Sequence, residues 1–132
     1  MANMMEFILD NLKTKDRKKV KQFIDTYINK KYSIDWNHIK LSRANGHAHN
    51  KMVCEICLWM LENNLPFATE VRCITHYTPD IISPLHIKPI IEVRNTETDK
   101  RTQEKFSRIP DDLMEQIIYV DAKQEFYSKL IL

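Results

Sequence analysis

The stretch FATEVRCITHYTPDIISPLHIKPIIEVRNTET, residues 67–98, decides the fold. It divides into three short β-rich runs, FATEVRCI, TPDIIS and IKPIIEVRN, each with one acid: Glu70, Asp80 and Glu92. Side chains alternate across a strand, so i and i+2 share a face. Ala68, Glu70 and Arg72 then point one way, and Phe67, Val71 and Cys73 the other. Ile90, Glu92 and Arg94 share a face opposite Ile91 and Val93. If the strands are neighbours, three carboxylates and a guanidinium converge on one sheet edge, an arrangement that a bound cation accounts for.

Upstream, HNKMVCEICLWMLENN (residues 49–64) has helical period. Val53, Ile56, Cys57 and Met60 form its apolar stripe, and His49 lies on that stripe one turn earlier. Glu55 points nearly opposite, so His49 is the polar group this helix aims at the sheet. As a bare residue His49 is as readily a helix-start cap. Asn63, Asn64 and Pro66 end the helix. A further helix is expected over residues 15–31, with Val20, Phe23, Ile24, Tyr27 and Ile28 as its stripe and Thr14 or Asp16 as its cap. Its other face is the densest basic cluster in the chain, with Arg17, Lys18, Lys21 and Lys30. Such a face is equally a solvated surface or a phosphate contact. MANMMEFILDNL, residues 1–12, reads as a short apolar helix. Residues 32–48 have no clean period: Ile34, Trp36, Ile39 and Leu41 alternate as an extended segment or pack as a linker, before a loop at Arg43, Asn45 and Gly46. After residue 98 a polar connection contains a short helix near residues 100–106. A strand follows at 116–120 (QIIYV), then a C-terminal helix or tail anchored by Phe126, Tyr127, Leu130 and Ile131.

The order describes an α/β protein of one domain: a central mixed sheet flanked by helices, with an N-terminal helical extension (1–45) on an α/β core (46–132). The chain has 132 residues, 43% hydrophobic and 29% charged, which suits one globular unit. A single glycine, Gly46, argues against Gly-rich phosphate loops and dinucleotide fingerprints, which require several. No apolar run approaches the roughly 20 residues that span a bilayer, and no signal-peptide pattern opens the chain. Three cysteines, with Cys54 and Cys57 unmatched by a second pair, read as reduced, mostly buried thiols of a cytoplasmic protein. Zinc or iron ligation is disfavoured by the same poor spacing. Net charge is +2, so any nucleic-acid surface must come from local segregation of charge.

Pro79-Asp80, an eleven-residue gap and Glu92-Val93-Arg94, behind a helix and a strand bearing Glu70-Val71-Arg72, resemble the core of the PD-(D/E)XK nuclease superfamily. The resemblance covers residues 47–121 and is greatest to small archaeal Holliday-junction resolvases and related DNA-repair endonucleases. It implies a restriction-endonuclease-like fold, an Mg2+-dependent (or Mn2+-dependent) endodeoxyribonuclease, a homodimer, and branched or damaged DNA as partner. It further implies that Asp80 and Glu92 hold the metal, with the Val93 carbonyl as a third oxygen. Glu70 would ligate the metal or hold a metal-bound water, and His49 would approach a phosphate or that water. The family's lysine is Arg94 here. Arginine stays protonated, so it can clamp developing charge but cannot act as a base. Arg17, Lys18, Lys21, Arg43 and Lys51 are the expected DNA contacts. A non-catalytic DNA-binding or assembly protein that keeps the nuclease fold and part of its acids is the alternative.

Overall fold

A computed structural model describes residues 12–94 and 100–132, apart from the side chains of 100–103. The expected helix over residues 1–12 and the last residues of the central stretch, from Asn95, therefore fall essentially outside the described residues. Helix α1 spans Thr14–Tyr27, α2 spans His47–Glu62 and α3 spans Lys100–Ser107. Strands β1 (Ala68–Thr69), β2 (Ile81–Ile82), β3 (Ile90–Arg94) and β4 (Ile117–Asp121) form one mixed sheet in the order β1-β2-β3-β4. The first two pairings are antiparallel, and β4 joins β3 in parallel with Glu92 opposite Tyr119.

Alternation along β3 splits the core in two. Ile90 lies in a cluster with Val20, Phe23 and Ile24 of α1, Ile82 of β2 and Ile117 of β4. Ile91 and Val93 lie in the other, with Met52, Val53, Ile56, Cys57 and Met60 of α2. The sheet is thus covered on both faces, as the near-continuous apolar run of β3 requires. Helix α1 shares its apolar cluster with the sheet.

Three expectations change. Helix α1 has Lys13 at its N-cap with no side-chain hydrogen bond there, so neither Thr14 nor Asp16 caps it. It stops at Tyr27 because the next residues pair instead: Ile28 bridges Cys73, and the Asn29 N–H donates to the Arg72 carbonyl at 3.0 Å. The first strand ends at Thr69, since Glu70 adopts φ +55°. A left-handed residue breaks the pleat, so Val71 and Cys73 join Ala68 in the same apolar cluster instead of opposing it. Residues 36–40 lie along β1 without forming a strand: Asn37 N–H donates to the Phe67 carbonyl (2.7 Å), and Lys40 N–H to Thr69 Oγ1 (2.9 Å). This route buries Trp36 completely.

Candidate functional site: a carboxylate pair closed by a lysine

Asp80 immediately precedes β2, and Glu92 is the third residue of β3. The antiparallel register, Ile81 opposite Ile91, brings the two side by side. Each carboxylate then caps the other's strand. Glu92 Oε1 accepts from the Asp80 N–H at 2.7 Å, and Asp80 Oδ2 accepts from the Val93 N–H at 2.8 Å. These bonds fix each carboxylate to the backbone at the other's strand.

The remaining oxygens meet one cation. Lys105 Nζ lies 2.8 Å from Glu92 Oε2 and 3.4 Å from Asp80 Oδ1. His49, in the first turn of α2, places Nε2 3.3 Å from Asp80 Oδ2, while its Nδ1 is buried without a hydrogen-bond partner among the described residues. Gly46 directs this turn. It precedes α2 with φ 80° and ψ 165°, a backbone region open essentially to glycine alone.

Burial sets the electrostatics. Glu92 is 3% exposed. Desolvation, with the Asp80 charge adding to it, pushes its carboxyl up to about 7, against the pull of Lys105 and the Asp80 N–H. Asp80 is also desolvated, but His49, Lys105 and the Val93 N–H together hold it below the usual aspartate range. The two carboxyls titrate as a coupled pair driven apart by position. Burial disfavours the charged forms of Lys105 and His49, yet the acids outweigh it and raise both. Tyr77, fully buried, has its phenol raised by desolvation and by the charges of Glu92 and Asp80.

Not every expected residue joins this group. Asp80, Glu92 and His49 come together. Glu70 is exposed and lines the adjoining cleft, but it completes no ligand set; among the described residues no cluster of three His, Cys, Asp or Glu side chains forms a metal cage. The cause is its left-handed backbone, which removes Glu70 from the strand alternation. Arg94 does share the Glu92 face, but it does not head the acid pair. Its guanidinium stacks 3.7 Å from the Tyr119 ring centroid and 4.5 Å from that of Phe106. The parallel register sets Tyr119 opposite Glu92 and supplies that ring. Lys105, which sequence reasoning misses, takes the cationic place, and Phe106 beside it anchors α3 to the sheet side that bears Tyr119. Nothing in its spacing separates Lys105 from Lys100 or Arg108; adjacency to the one aromatic of α3 is the available signal.

Of the expected DNA contacts, Lys18, Lys21, Arg43 and Lys51 are exposed. Arg17 is half-buried and donates to the Leu12 carbonyl at 3.1 and 3.3 Å, and Lys51 Nζ lies 4.0 Å from Glu55. A cleft of about 810 Å³ opens over Asp80 and Lys105. Its walls include Tyr32, Lys40, Glu70, Arg72 and Arg108.

A divalent cation is implied by the resemblance, and the donor set is compatible with one. Oxygens of Asp80 and Glu92 already converge on a single positive centre, the Lys105 ammonium. Hard carboxylate oxygens suit Mg2+, which is commonly held through one or two carboxylates while keeping waters. No helix among the described residues is long and apolar enough to cross a membrane. Comparison with protein-family profiles, with curated proteins and with solved structures finds no match.

Proposed function

We propose that this chain is a metal-dependent DNA endonuclease of restriction-endonuclease-like fold that hydrolyses phosphodiester bonds. One observation carries the reading: the oxygens of Asp80 and Glu92, fixed by each other's strands, meet at one cation on the floor of a cleft. Two acids buried against their own repulsion are costly to a fold, and such perturbed groups in a cleft mark functional sites. Asp80 and Glu92 would hold Mg2+ or Mn2+, which supplies charge neutralisation and an activated water when bound.

The chain's own residues do the rest. Lys105 is held protonated, so it stabilises negative charge and does not accept a proton. It takes the electrostatic part expected of Arg94, whose guanidinium is stacked on aromatic rings. His49 pins Asp80 through Nε2 and keeps that carboxylate ionised. Exposed Arg72 and Arg108 on the cleft wall supply attraction for a phosphate backbone.

The test is nicking of supercoiled plasmid and branched DNA in Mg2+ or Mn2+, with chelator as control. Asp80→Asn and Glu92→Gln should abolish cleavage. Lys105→Met should lower it by about 10²–10³, the scale of one preorganised charge donor. Arg94→Ala should leave cleavage unchanged. A second reading, a non-catalytic DNA-binding or assembly protein, is favoured by the fact that Lys105, His49 and two backbone N–H groups already engage the acid pair. Wild-type protein that binds DNA yet never nicks it would establish that reading instead.

A further inference from the structure

Tyr32, 48% exposed at the turn that follows α1, stands on the cleft wall, which also carries His76. Exposure alone marks nothing, since single exposed apolar residues are ordinary on a surface; what distinguishes Tyr32 is its company. Two cations attend it: Arg72 Cζ lies 5.9 Å from the ring centroid and Lys31 Nζ lies 6.0 Å. Among the described residues, neither has an ion pair with an acid. Tyr32 also borders a second, smaller hollow of about 330 Å³ with an apolar floor of Ile24, Ile28 and Ile34. The ring therefore stands between a charged cleft that leads to Asp80 and an apolar recess.

That combination suits one kind of ligand. A phosphate backbone needs cations on a track, and an unpaired base needs a flat aromatic face and a dry edge. Stacking on tyrosine is tolerant of base identity because every base has a π-face. A fully paired duplex offers no such face along its length, since its bases are stacked on each other.

We propose that Tyr32 is a stacking platform for an unpaired DNA base, with Arg72 and Lys31 gripping the adjacent phosphates, so that the chain selects strands with single-stranded character. The inference rests on the nuclease reading for its strand path to Asp80, but the platform itself is a binding site that needs no cleavage.

The experiment measures binding in chelator, by fluorescence anisotropy of a labelled thymidine oligonucleotide, the same oligonucleotide with abasic positions, and a blunt duplex of equal length. Wild type should bind the thymidine strand more tightly than either competitor. Tyr32→Ala should weaken that binding by about 10- to 100-fold, the scale of one base–aromatic stack. Tyr32→Phe should restore it, and duplex affinity should not move. Tyr32 is exposed, so both variants are expected to fold, which circular dichroism checks. Equal affinity of Tyr32→Ala and wild type, or equal binding of abasic and thymidine strands, overturns the platform. Nicking in Mg2+ is scored separately. Protein that stacks bases but never nicks keeps the platform and loses the nuclease reading. Protein that nicks with no dependence on Tyr32 does the reverse.

Discussion

Lys105 is the residue on which the acid pair depends. Truncating it to Ala leaves Asp80 and Glu92 facing each other with no cation between them. Breaking a fully buried pair costs about 3–5 kcal/mol; the Lys105 side chain is 30% exposed, so a loss of about 2 kcal/mol is expected. Millimolar Mg2+ should recover more of that loss in Lys105→Ala than it adds to wild type. Thermal melts with and without Mg2+ check both. Recovery in neither protein would mean that the pair does not bind the ion.

Glu92 gives the pH signature. Its folded carboxyl, near 7, lies above the ordinary value of 4.5, so the folded chain holds a proton that the unfolded chain releases between those values. Stability is therefore lost as pH rises through that window. His49 acts in the same direction: its raised imidazole contributes below 6.5 and is lost as pH climbs through the folded value. Asp80 acts oppositely, since its depressed carboxyl contributes above the ordinary 3.8 and is lost on acidification. Metal-free protein should accordingly be most stable near pH 5 and weaken by roughly 2–3 kcal/mol towards pH 8. In Glu92→Gln most of that slope should vanish. Urea melts across pH 4–8 measure it; a wild-type maximum above pH 7 would show that Glu92 is ionised without penalty.

At the scale of elements, α1 has two jobs on two faces. Val20, Phe23 and Ile24 are buried against the sheet, while Lys15, Lys18, Lys19 and Lys21 are exposed. Phosphate binding by this face predicts a salt-dependent affinity for DNA whose slope falls by about one for each lysine that no longer meets a phosphate. Lys18→Gln with Lys21→Gln should flatten the log–log salt plot by about two. Arg17 has Nε and Nη2 tied to the Leu12 carbonyl, which restrains its reach but leaves its charge and remaining donors. An unchanged slope assigns the face to ordinary solvation. The α3 element works differently: one of its residues, Lys105, closes the site, and the next, Phe106, holds Arg94 by its ring.

The whole molecule tests how far α1 belongs to the sheet. Removing residues 1–45 strips Val20, Phe23, Ile24, Ile28 and Trp36 from one apolar cluster. At about 1.5–3 kcal/mol for each large buried side chain, the loss is as large as the roughly 5–15 kcal/mol that holds a domain together. A chain beginning at residue 46 should show no cooperative thermal transition by circular dichroism, whereas the full chain should. A cooperative melt from the shorter chain would make α1 a true appendage.

Much of this was legible in the linear chain, and for a physical reason. Helix α2, the β2–β3 pair and the meeting of Asp80 with Glu92 depend on periodicity and on a short-range hairpin register, both local properties of the sequence. His49 followed from the same 100° projection that placed Val53 and Ile56. What local pattern could not reach was anything fixed by backbone strain or by a distant partner. Glu70 stands on the wall of the cleft that holds Asp80, outside the hydrogen-bonded acid pair, because one left-handed residue overrode alternation. Arg94 was drawn off by Tyr119, which is remote in sequence and adjacent only once β4 joins β3 in parallel. Lys105 became the site's cation because α3, within the crossover from β3 to β4, sets it against the carboxylates, a position that charge and spacing in sequence do not encode. Residue patterns determined which acids meet; only tertiary packing decided which cation meets them.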